Sequence, residues 1–271
     1  MTISKPDWVT EGIDLNRPNP ARIYDYLLGG HHNFAADRAV ADRLAETRPH
    51  VKIATVCCRA FVRRAVNVIT AEGVEQFLDI GSGLPTVGNV HDLVQARRPQ
   101  ARVVYVDVDP VVIAHSSQML DDEPYVTIIE ADVRDPASIL EHRETRDLLD
   151  FSQPVGLMMT SLLHFIVDDD LAYRSVEILI DALPTGSYVA VSHAWLSAGS
   201  RESFAEMTES YKPAASSRPR PRASIARFFD GLELLEPGLV APQFWRPEEP
   251  DDPFLDDPDA IRVLAGVGKK P

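Results

Sequence analysis

The sequence predicts an α/β fold: a doubly wound, mostly parallel seven-stranded sheet behind a helical N-terminal extension. Three observations carry that expectation. From Phe77 onward, strand-length apolar runs alternate with helical stretches. The first such strand runs into a glycine turn that opens a helix. Acidic residues then stand at the ends of the next two strands. Alternating strands and helices bury both faces of a parallel sheet, and they place ligand-binding loops at the carboxyl ends of the strands.

In chain order, Asn19 and Pro20 cap and open a short helix that Gly29 and Gly30 stop. A second helix is expected from about Asn33 to Arg48, before Pro49. A third runs from about Val51 to Glu72, because Val51, Ala54, Cys58, Phe61, Val62, Ala65 and Ile69 keep the helical spacing. We divide the chain there, with residues 1–73 as a helical extension or lid and 74–271 as the α/β domain. The seven strands are read at Phe77–Ile80, Arg102–Val108, Tyr125–Ala131, Val155–Thr160, Ser187–Ser192, Leu232–Glu236 and Ile261–Val267. Helices are expected at Val87–Arg98, from Asp109 and Pro110 to about Leu120, from Asp135 and Pro136, and at Asp168–Leu183. Two more are expected at Arg201–Tyr211 and Ala223–Asp230. The Pro-, Ser- and Arg-rich run Lys212–Arg222 reads as a mobile loop, and the acidic run Pro247–Asp259 as a solvated one.

Composition narrows the class of partner. The 271 residues are 45% hydrophobic, enough for a sizeable core, and carry a formal charge of −14. A field of that sign repels nucleic-acid backbones, so no nucleic-acid partner is expected. No apolar run is long enough to span a bilayer and the first residues lack a signal-peptide core, so no membrane partner is expected and the location reads as cytoplasmic. The two cysteines, Cys57 and Cys58, are adjacent in a helical pattern, where they diverge by about 100° and read as small apolar residues.

The glycine turn is Asp79-Ile80-Gly81-Ser82-Gly83. Glycines there allow a ligand to approach the backbone, beside the free N–H groups of a helix start. One helix and one strand later, Val106-Asp107-Val108 ends the second strand with a carboxylate able to accept hydrogen bonds from both ribose hydroxyls. Asp107 also disfavours a 2′-phosphate. At the end of the third strand, Asp132, beside Val133, can accept from an adenine amino group.

These residues resemble those of the class I S-adenosylmethionine (SAM)-dependent methyltransferases, a Rossmann-like fold. The resemblance implies SAM as cofactor, with the glycine turn, Asp107 and Asp132 contacting methionine, ribose and adenine. More narrowly, Ala21-Arg22-Ile23-Tyr24-Asp25-Tyr26-Leu27-Leu28-Gly29-Gly30, Ser82-Gly83-Leu84-Pro85-Thr86 and Phe228-Phe229-Asp230-Gly231-Leu232-Glu233-Leu234 resemble a bacterial family once catalogued as a domain of unknown function and later named S-adenosyl methyltransferase. Pro85 stands where many methyltransferases have a third glycine, removing one N–H donor.

Methyl transfer requires an acceptor held in line with the methyl group, water excluded, and in some cases a base. By the resemblance, Ser161, Leu163 and His164 after the fourth strand flank the methionine part and the acceptor pocket. His164, and His193 at the end of the fifth strand, are the candidate bases, with a buried structural histidine as the alternative for each. Tyr24 and Asn33 can fold over the cofactor as part of a lid. His31 and His32 read as solvent-facing. The run Arg218–Arg222 can bind an acidic substrate or be a solvated linker. No His/Cys cluster has metal-ligand spacing. The expected activity is methylation of a small-molecule acceptor by SAM. The alternatives are a non-catalytic SAM-binding module and an NAD-dependent oxidoreductase, whose full Gly-x-Gly-x-x-Gly the chain lacks because Thr86 takes the last position.

Overall fold

The computed structural model describes residues 14–85, 88–197, 209, 211–248 and 261–271. Seven strands form one sheet, ordered β3-β2-β1-β4-β5-β7-β6. They are β1 Gln76–Ile80, β2 Arg102–Asp107, β3 Val126–Glu130, β4 Gly156–Thr160, β5 Tyr188–Ala194, β6 Glu233–Leu234 and β7 Val263–Lys269. The first five pair in parallel; β7 runs antiparallel to both β5 and β6. The expected doubly wound sheet is therefore present, with its antiparallel edge.

Strand alternation sends neighbouring side chains to opposite faces. Leu78, Ile80, Val104, Val106, Leu157, Met159, Val189 and Val191 join one core with α8 (Asp169–Asp181) and Phe228–Phe229. Phe77, Val103, Tyr105, Met158, Tyr188 and Ala190 join a second core with α3 (Val51–Ala71), α4 (Val90–Gln95) and Trp245. Phe61, Ala65, Val66 and Ile69 of α3 are fully buried there. The same helix buries Arg64, which donates to the carbonyls of Trp245 (2.8 Å) and Pro242 (2.7 Å) and ties that turn to the sheet. A third cluster joins Ile23 and Leu27 of α1 (Pro20–Leu27) to Val40, Ala41 and Leu44 of α2 (Ala35–Thr47), with Tyr211 and Ala214 against it.

The caps explain several element starts. Asn19 Oδ1 accepts from the Ala21 N–H at 2.7 Å with Pro20 following, and Asp109 Oδ1 accepts from the Val111 N–H at 2.9 Å before Pro110. Both caps were expected. Elsewhere the boundaries differ. α2 starts at Ala35, because Asn33 is bound to the preceding turn: its Nδ2 donates to Asp25 Oδ2 and to the Gly30 carbonyl, each at 2.9 Å. α4 is shorter than the Val87–Arg98 expectation. The helix expected from Asp135 is two, α6 (Pro136–Leu140) and α7 (Arg143–Leu148), and the one over Ala223–Asp230 is an α-turn at Arg222–Ala226 followed by a 3₁₀ turn at Arg227–Phe229. β7 lies two residues later than expected. Most of Arg201–Tyr211 and of Pro247–Asp259 falls outside the described residues. Among the described residues, no helix is long and apolar enough to cross a membrane.

Candidate functional site

The carboxyl ends of β1 to β5 open into one cavity of about 810 Å³, within the roughly 300–1,000 Å³ of small-molecule sites. Sheet order sets out its parts. Asp132 and Val133 lie beyond β3, Asp107 and Val108 at the tip of β2, Gly81–Gly83 beyond β1, Ser161 and His164 beyond β4, and Ala194 and Arg262 where β5 meets β7. Helices α1, α2 and α3 and residues 214–217 form the opposite wall, with Tyr24 among them.

At the glycine turn, Gly81 and Gly83 have φ of +71° and +66°, a conformation that glycine adopts without strain. A Cβ on Gly81 would stand 2.6 Å from Leu162 Cδ1. The Gly83 N–H points sideways, donating to Asp107 Oδ2 at 2.9 Å. Asp107 Oδ1 accepts from the Val108 (2.8 Å) and Asp109 (3.0 Å) N–H groups. A carboxylate has about four lone-pair sites. Three are used here, so one remains for a ligand hydroxyl. Burial raises the Asp107 carboxyl, and these N–H donors oppose the rise. Next to it Val108 is 59% exposed, an apolar surface at the mouth of the cavity.

Asp132 is arranged differently from the expectation. Both its oxygens are held by Arg134, at 2.9 Å from Nε and closer from Nη2, and Oδ1 also accepts the Arg134 N–H at 2.9 Å. That ion pair lowers its pKa. Its acceptor capacity is spent within the loop, so an adenine amino group reaches it only if Arg134 turns away.

Beyond β4, Ser161 takes a positive φ of 55° and its N–H donates to Ser192, to the carbonyl at 3.0 Å and to Oγ at 2.9 Å. Strained backbone of this kind clusters at functional sites. The His164 ring lines the cavity, 4.3 Å from the Phe165 ring and 5.6 Å from His193. Its Nδ1 has no hydrogen-bond partner. Burial, then the charges of Arg220 and Arg48, push it down to about 3.

Four of the expected residues stand behind the cavity wall. Asp79 is 7% exposed and faces a small recess with Arg59, Asn89 and Tyr105 on the far side of the glycine turn. Burial raises its carboxyl to about 7. Leu163 is buried in the core, and Asn33 braces the α1–α2 turn. His193 is fully buried, with Nδ1 donating to the Ala194 carbonyl at 2.8 Å and Nε2 accepting from Arg220 Nη1 at 2.9 Å. An arginine only donates, so this ring is neutral and its lone pair is occupied.

The basic run Arg218–Arg222 is not a solvated linker. Arg220 is 1% exposed and also donates to the carbonyls of Leu163 (3.0 Å) and Ile166 (2.8 Å), and both Arg218 and Arg220 bind Asp169. His32 is half-buried, its ring 4.2 Å from that of His115, whereas His31 is exposed. Arg48, Cys58, Tyr211 and Arg262 also line the cavity. They were not singled out from the sequence, because they come from four separate segments with no shared spacing.

A family model described as S-adenosyl methyltransferase matches residues 6–271. Two solved structures are similar over nearly their whole length. One, from Thermobifida fusca YX, carries a provisional methyltransferase assignment; it is 38% identical, with 98% of this chain and 99% of that one covered and a TM-score of 0.90. The other is a DUF574-family protein from Streptomyces avermitilis MA-4680, 35% identical, with 95% and 100% covered and a TM-score of 0.88. An O-methyltransferase family protein from Burkholderia thailandensis shares the fold, at 14% identity, coverage of 87% and 60%, and a TM-score of 0.50. Among curated proteins none matches.

Proposed function

Because the chain belongs to the S-adenosyl methyltransferase family, we propose that it binds SAM at the tips of β1 to β4 and methylates a small-molecule acceptor in the same cavity. The observation that carries this reading is Asp107. It is a carboxylate at the tip of β2, fixed by three backbone N–H groups, with one acceptor site left toward the cavity.

Bound there, SAM supplies an electrophilic methyl group on a positively charged sulfur. Asp107 accepts from a ribose hydroxyl, and exposed Val108 offers apolar surface to the adenine ring. Gly81, Ser82 and Gly83 let the ligand approach the backbone without a Cβ in the way. Ser161 lines the passage toward the acceptor. His164 is the polar group best placed to meet the acceptor. With its pKa near 3, it does not hold a proton at neutral pH. Its contribution is to accept a hydrogen bond at Nδ1 and orient the nucleophile rather than to store the proton.

Titration calorimetry with SAM, S-adenosylhomocysteine and NAD tests the reading. Micromolar binding of both sulfur nucleotides and none of NAD is expected, with at least a tenfold loss, about 1.4 kcal/mol, in Asp107→Ala. Asp107→Asn, which keeps one acceptor oxygen, separates ligand binding from loop integrity. Binding of NAD alone would sink the cofactor assignment, and unchanged affinity in both variants would sink the role of Asp107.

A further inference from the structure

Resting on that cofactor reading, we propose that the acceptor is an organic acid with an apolar body, whose carboxylate is held by Arg48 and Arg262 in the half of the cavity beyond β4.

Sheet order separates the two halves. From Asp107 at β2 to the start of β7 there are four strand spacings, roughly 19 Å at about 4.8 Å each. A nucleoside anchored at β2 leaves the β5–β7 side for something else. Arg48 follows α2, and its Nη2 donates to the Ile261 carbonyl at 3.2 Å, which sets the guanidinium beside residue 262. Arg262 lies just before β7 with a positive φ of 53°, its carbonyl accepting the Trp195 N–H at 2.8 Å. Both line the cavity. The two cations are near enough that Arg262, after burial, helps pull the Arg48 guanidinium down to about 10.

The sign of the charge decides the ligand class. The chain as a whole carries −14 and repels anions. The residues from α2, α3, 211–217 and 261–263 that line the cavity nevertheless include two arginines and no acidic group among the described residues. Guanidinium forks match a carboxylate in two hydrogen bonds. The rest of this wall suits an apolar body: Leu44, Val51 and Ala54 stand against the paired rings of Phe165 and Tyr211, 5.7 Å apart. His164, with its free Nδ1, lies between this half and the glycine turn, where the reacting atom of such an acid would sit.

The test uses full-length protein saturated with S-adenosylhomocysteine, with 4-hydroxybenzoate and its neutral isostere 4-hydroxybenzamide as probes, read by calorimetry. The acid is expected to bind at least tenfold more tightly than the amide. That preference should fall to within about twofold in Arg48→Gln and in Arg262→Gln, while affinity for S-adenosylhomocysteine stays within twofold of wild type. Arg48→Lys, which keeps the charge but not the fork, should retain part of the preference. Equal binding of the two probes, or no binding of the acid, overturns the inference. A parallel loss of S-adenosylhomocysteine affinity in the arginine variants also overturns it, by giving the guanidiniums to the cofactor's own carboxylate. If wild type binds no S-adenosylhomocysteine, the cofactor reading fails first; if it binds and shows no preference for the acid, only this inference fails.

Discussion

Replacing Arg220 with methionine removes one guanidinium from a buried site where it serves four acceptors: the carbonyls of Leu163 and Ile166, His193 Nε2 and Asp169. Methionine fills most of the volume, so the loss is chiefly polar. Each buried acceptor left without a partner costs about 1–3 kcal/mol. Asp169 is 40% exposed and recovers water, so its share is small. Breaking a buried charged contact in this way costs about 3–5 kcal/mol, a third or more of the stability of many domains. Urea unfolding should therefore show a lower midpoint with an unchanged slope. Arg218→Met is the internal control: it binds the same Asp169 at 2.8 Å but is 53% exposed, and its loss should cost below about 1 kcal/mol. A second readout follows from the tautomer. In wild type His193 carries its proton on Nδ1, and nitrogen NMR should show Nε2 as the bare atom. If Arg220→Met cost no more than Arg218→Met, the reading of this run as a structural strap would be wrong.

Two further outcomes follow from the cavity wall. Gly81→Ala places a Cβ 2.6 Å from Leu162 Cδ1 at φ +71°, and should cost about 1–3 kcal/mol by urea midpoint. Leu162→Ala in the same chain should restore the part due to crowding, and no rescue would show that the backbone alone carries the cost. His164 gives a pH signature. Its folded pKa lies near 3, below the ordinary 6.5, so the unfolded chain gains a proton first as pH falls. Its contribution is intact above about pH 6.5 and lost as pH falls toward 3. His164→Gln should flatten the decline in stability between pH 6.5 and 4.5; an unchanged slope refutes the shift.

The alternation of strands and helices, the Asn19 and Asp109 caps, the glycine turn and Asp107 were all readable along the chain, because each depends on neighbours a few residues away. What a side chain does across the fold was not. Asp132 stands in the expected loop, but its acceptor sites are filled by Arg134, two residues on. Asp79 sits in the motif, yet strand alternation turns its carboxylate to the recess behind the glycine turn. Arg220, in a stretch whose composition reads as solvent-exposed, is one of the most buried residues in the molecule.

Local periodicity and composition by themselves determined the sheet, its order of construction and the edge at which ligands bind. Only the tertiary structure decided which polar groups face the cavity. It paired Arg48 with the backbone at Ile261, 213 residues apart, and set His164 rather than His193 against the open space. Such choices depend on desolvation and on hydrogen bonds between segments remote in sequence, and neither leaves a periodic trace along the chain.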